Sequence, residues 1–113
     1  MSKSVNMVDR YRIRFYGNSS SAREGLKAWL YLYGNGHKSG VVGSIGFYTE
    51  NALSGRQDRL DDLGRPEGNM SITDVVAVMD MLRNEKPVYV HWSESWKQVW
   101  LDTSAEPVGE EES

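Results

Sequence analysis

Two periodicities divide this chain. Tyr11-Arg12-Ile13-Arg14-Phe15-Tyr16 alternates apolar and cationic side chains and stops at Gly17-Asn18-Ser19-Ser20-Ser21. A period of two is the signature of a half-buried strand, so a first strand is expected over about residues 8–16. Tyr11, Ile13 and Phe15 fall on one of its faces, and Arg10, Arg12, Arg14 and Tyr16 on the other. Ala28-Trp29-Leu30-Tyr31-Leu32-Tyr33 alternates in the same way and ends at Gly34-Asn35-Gly36, a hairpin-turn signal. Ala28, Leu30 and Leu32 share one side, and Trp29, Tyr31 and Tyr33 the other, so both sides call for cover. A helix competes over 21–33. Ser21 and Glu24 fit a capping box, and Ala22, Leu26, Trp29, Leu30 and Tyr33 have helical spacing. Gly25 opposes that helix by about 1 kcal/mol relative to alanine, and the strand, over about 24–33, is preferred. Val41–Tyr48 is then its hairpin partner, with Gly43 and Gly46 leaving room for large neighbours or marking a bulge.

The period changes to that of a helix over 71–84. Ile72, Val75, Val76, Met79 and Leu82 form an apolar stripe, Ser71 with Asp74 suits the start, and Pro87 forbids continuation. Val88-Tyr89-Val90-His91-Trp92 and Trp96-Lys97-Gln98-Val99-Trp100-Leu101 read as a final hairpin turning at Ser93–Ser95, with Trp92 and Trp96 placed to face each other. Residues 49–70 read as a long polar loop with one helical turn near 57–63. The order β-β-β-α-β-β gives an α+β fold: one antiparallel sheet of about five strands with a single amphipathic helix on one face. One domain is expected over 1–103, followed by an acidic, disordered tail over 104–113.

A chain of 113 residues makes one modest core. It has no cysteine, which excludes disulfides, thiolate metal sites and cysteine nucleophiles. No signal-peptide or membrane-length apolar run occurs, so a cytoplasmic protein without a membrane partner is expected. The net charge of −3 is unevenly spread. Residues 1–56 hold eight Lys/Arg against three Asp/Glu, and residues 57–113 hold five against thirteen. Such asymmetry serves an anionic partner, self-association of basic on acidic surface, or simply solvation.

Arg83-Asn84-Glu85-Lys86-Pro87-Val88-Tyr89-Val90, Ser104-Ala105-Glu106-Pro107-Val108-Gly109-Glu110 and Arg12-Ile13-Arg14-Phe15-Tyr16-Gly17-Asn18-Ser19-Ser20 carry a resemblance. The chain resembles a family of small uncharacterised bacterial proteins, including ones encoded by mobile integron gene cassettes. The resemblance implies a single α+β domain and supplies no catalytic residue or substrate.

No catalytic constellation emerges. His91 is flanked by Trp92 and lies near Glu94, the nearby Ser93 and Ser95 suit turn positions, and His37 sits in a hairpin turn. Two histidines at this spacing make no metal site, and no cofactor is implied. Asp58, Asp61 and Asp62 lack the spacing of a calcium loop, and Gly17–Ser21 lacks the ending of a phosphate-binding loop. The chemistry that stands out is aromatic. Arg12, Arg14, Trp29, Tyr31, Tyr33, Trp92 and Trp96 are the candidate binding or interface residues, because Tyr, Trp and Arg are enriched where proteins meet. The expected function is a small, non-enzymatic interaction module that self-associates as a dimer or higher oligomer through an aromatic sheet face. The alternative is a small-molecule site in an aromatic pocket. Single-stranded nucleic acid ranks below both, because the chain is acidic overall and has no RNP-like motif.

Overall fold

The computed structural model describes residues 3–17, 24–34 and 40–105. The strands are β1 (Lys3–Val8), β2 (Arg10–Phe15), β3 (Leu26–Tyr33), β4 (Val41–Tyr48), β5 (Arg59–Leu60), β6 (Pro66–Ser71), β7 (Val88–Ser93) and β8 (Gln98–Thr103). A single helical turn, α1 (Glu50–Leu53), follows β4, and a 3-10 turn (Ile72–Asp74) leads into the main helix, α2 (Val75–Asn84). The α+β class and mostly antiparallel pairing stand, but the single five-stranded sheet does not. The strands form two sheets, ordered β1-β7-β8 and β2-β3-β4-β6-β5, with β4 and β6 parallel. No helix among the described residues is long and apolar enough to cross a membrane.

The expected first strand is β2; the second sheet arises because a further strand, β1, precedes it. The ribbon passes from β1 to β2 at Asp9; β1 pairs with β7, and β2 with β3. The Asp9 backbone N–H donates to the Tyr33 carbonyl at 2.8 Å and fixes the crossing. The two sheets face each other across one core of Ala28, Leu30, Leu32, Val42, Ile45, Phe47, Val78, Val90, Trp92 and Val99. Fully burying each large member contributes about 1.5–3 kcal/mol. Close approach of the sheets requires glycine at two points. A Cβ on Gly43 would sit 3.1 Å from Val90 Cγ2, and one on Gly68 would sit 3.1 Å from Val99 Cβ.

The expected polar loop supplies β5 and β6, and its Asp58 and Asp61 are structural. The Asp58 carboxylate accepts the Asn69 backbone N–H at 2.9 Å through Oδ1 and the Val99 backbone N–H at 2.8 Å through Oδ2. It therefore joins β6 of one sheet to β8 of the other, opposite the Asp9 crossing. Charge-assisted bonds of this kind are about twice as strong as neutral ones. The helix packs Ile72, Val75, Val78, Met79 and Leu82 against the core. Val76, expected in the apolar stripe, is instead 75% exposed. The Ser71 hydroxyl caps the Thr73 N–H and donates to Glu50 Oε2 at 2.6 Å, so its partners are not those of a box with Asp74.

Candidate functional site

The outer face of the five-stranded sheet carries a ladder. Antiparallel register places Arg10 opposite Tyr33, Arg12 opposite Tyr31 and Arg14 opposite Trp29. Because side chains alternate across a strand, all six project from one side. Arg10 lies 5.2 Å from the Tyr33 ring centre, and Arg12 and Arg14 lie 5.8 Å from that of Tyr31. The rings are half-buried and the arginines exposed. Among the described residues, Arg10 pairs with Asp9, whereas Arg12 and Arg14 meet no carboxylate. Next to the ladder, Gly46 opens space for rings: a Cβ there would meet Trp29 at 2.7 Å and Tyr48 at 2.8 Å. Arg56 covers the buried Tyr48 ring at 4.0 Å.

Beyond β4 this face turns polar. A small hollow of about 150 Å³ is bounded by Trp29, Tyr31, Val41, Asp61, Arg65 and Glu67. Arg65 Nε donates to Asp61 Oδ2 at 2.8 Å, and Arg59 approaches Glu67 at 3.4 Å. Burial pushes the Asp61 carboxyl up, but the Arg65 and Leu63 backbone N–H groups and the Arg65 guanidinium outweigh it and hold it below the ordinary value. The aspartate fixes a turn; it is not a solvated loop charge.

The outer face of the three-stranded sheet is different. Val88, Val90 and Trp92 point into the core, so Tyr89 and His91 point out, and register puts Met7 beside Tyr89 and Val5 beside His91. His91 stacks on Trp100 at 4.9 Å with planes 7° apart, and Trp96 leans on Trp100 at 5.7 Å. Tyr89 meets the His91 ring edge-on at 6.4 Å. His91 Nε2 lies 2.8 Å from Asp102 Oδ1, which fixes the ring in its plane. Val5 is 54% exposed, Met7 52% and Trp96 69%. Ser93 Oγ accepts the Trp96 N–H at 3.2 Å and is committed to the turn.

The candidate residues therefore separate. Arg12, Arg14, Trp29, Tyr31 and Tyr33 meet on the five-stranded sheet. Trp96 lies on the other sheet, and Trp92 is buried opposite Val99, so the expected Trp92–Trp96 pair does not form. The partner of His91 is Asp102 and not Glu94. Asp102 lies one residue past the strand expected to end at Leu101, and the register of β7 on β8 brings it to His91. Val5 and Met7 lie on β1, ahead of the first strand that alternation predicts from about residue 8. A third feature is a cleft of about 670 Å³ between the β1–β2 crossing and the end of α2, lined by Val8, Tyr11, Leu82 and Pro87 with Arg10 and Arg83 among its polar groups. Among the described residues no group of three or more His, Asp or Glu is placed to hold a metal ion. His37, Asn18–Ser21 and residues 106–113 lie outside the described residues. No protein-family model matches the chain, nor does any curated protein or solved structure.

Proposed function

We propose that this chain is a small interaction module that self-associates through an aromatic sheet face, and that the face is the outer side of the three-stranded sheet. The observation that carries the reading is the adjacency of exposed Val5, Met7 and Trp96 to the stacked rings of Trp100 and His91. Apolar area of this kind gains about 25 cal/mol for each Å² removed from water. The arginine ladder is the poorer self-association surface. Arginines meet arginines when two such edge strands pair, and charged edges oppose sheet extension. Among the described residues the charged groups of β1, β7, β8 and their turn, Lys3, Asp102 and the Glu94–Lys97 pair, lie at the margins of this face, so two copies meet without opposed like charges at the centre. The test is solution mass by light scattering over a concentration series. Mass is expected to rise with concentration, and the double variant Met7→Glu/Trp96→Glu is expected to stay monomeric. Monomer at every concentration for the native chain overturns the reading.

A second reading rests on the cleft beside α2, whose volume lies in the range of small-molecule sites. It requires a ligand that raises the melting temperature of the native chain and loses that effect in Leu82→Trp, which fills the cleft.

A further inference from the structure

We infer that the ladder on the five-stranded sheet is a binding site for single-stranded nucleic acid. The argument is one of matched repeats. Along β2, successive arginines are two residues apart, which in a strand is about 6.8 Å. Along β3, Tyr33, Tyr31 and Trp29 repeat at the same interval, each directly across from one arginine. Three guanidinium groups and three rings thus recur at one interval along a line, with Arg10 over Tyr33 and both Arg12 and Arg14 over Tyr31. A single nucleic-acid strand in extended form is also a row of units, each one phosphate beside one flat base, at a comparable spacing. Guanidinium groups match phosphate oxygens in geometry and charge, and aromatic rings accept bases of any sequence. β2 is the edge of its sheet, so the row is open along its length.

The arginines now lie over the rings they flank, and a base must displace them. Exposed cation–π contacts are worth about 2- to 5-fold in an equilibrium constant, whereas base–aromatic stacking is worth about 5- to 150-fold per base. The exchange favours the base, and the displaced guanidinium remains within reach of phosphate. Arg12 and Arg14 give up no ion pair among the described residues. The acidic total does not oppose this. Charges are screened over about 8–10 Å at physiological salt, so a ligand on β2 responds to its own row of arginines more than to the distant acidic half. Net charge and the missing RNP-like motif had ranked this partner low; the register of β2 on β3 is the observation that raises it. The inference is independent of self-association, which uses the other sheet.

The test is fluorescence anisotropy of a labelled short oligothymidylate with the full chain, against the matching duplex and an oligoglutamate peptide. Binding of the single strand is expected at low salt, with a log–log salt slope near −2 for three phosphate contacts at about −0.7 each. Arg12→Gln/Arg14→Gln is expected to bring the slope toward about −0.7. Tyr31→Ala is expected to weaken binding about 5- to 150-fold, and Tyr31→Phe, which keeps the ring, to retain it. Circular dichroism melts confirm that each variant is folded. Absence of binding at low salt overturns the proposal, as does equal affinity for duplex or oligoglutamate, or loss of binding in folded Tyr31→Phe.

Discussion

On the five-stranded sheet the aromatic rings lie beneath guanidinium groups; on the three-stranded sheet they lie against one another. Both faces arise from alternating strands. What separates them is the strand at the edge. β2 brings Arg10, Arg12 and Arg14 to its rings, and β1, the same ribbon one residue earlier, brings Val5 and Met7. A row of aromatics is thus not a site until its neighbouring strand is known. Charged neighbours make a surface that repels a copy of itself and suits an anion, while apolar neighbours make one that gains by meeting a copy.

The comparison depends on both sheets being held on one core, and the largest effect is expected where they are tied. Asp58→Ala removes the acceptor for Asn69 and Val99 and is expected to cost about 2–3 kcal/mol, read as a lower urea midpoint. A midpoint unchanged from the native chain places the join elsewhere. Gly46→Ala forces Trp29 and Tyr48 apart on one face alone. It is expected to cost about 1–2 kcal/mol and to leave concentration-dependent mass untouched. A change in mass would show that the faces are not separable.

Acid acts on the polar margin of the five-stranded face. The Asp61 carboxyl is held below the ordinary value in the fold, so its contribution is present above that value and is lost as pH falls through the folded one. Stability is expected to fall more steeply below about pH 4 in the native chain than in Asp61→Asn, by at most about 1 kcal/mol, read as a lower melting temperature. Parallel curves for the two proteins would exclude the turn as the cause. The smallest stability changes give the sharpest contrast. Met7→Glu and Arg12→Glu are both exposed substitutions expected to shift stability within about 0.5 kcal/mol. Light scattering is expected to show lower mass for Met7→Glu only, and the reverse result assigns self-association to the ladder.

Alternation made β2, β3, β4, β7 and β8 legible, and helical spacing made α2 legible. The Arg–aromatic side of β2 and β3 could also be read, since register follows once the two strands pair. Three features could not be read, each for a local reason. In β1 the half-buried positions are Ser4, Asn6 and Val8, while Val5 and Met7 face out, so the hydrophobic pattern is inverted. In β6, Pro66-Glu67-Gly68-Asn69 has poor strand propensity; parallel pairing with β4 and the fit of Gly68 under Val99 impose the strand. The His91–Asp102 contact spans two strands diagonally and depends on a register that alternation alone leaves open.

The crossing at Asp9 also sets an order of events. β2 finds β3 and β4 soon after they are synthesised, but β1 must wait for β7, which emerges after the whole helix. Until then the first part of the ribbon is an unpaired strand with its backbone N–H and C=O groups open, joined to a sheet already half built. Pairings between distant parts of a chain are the slow ones, and open strand edges invite the wrong partner. Completion of the fold is thus reserved for the β7–β8 hairpin, and a chain interrupted before it carries β1 as an open strand edge.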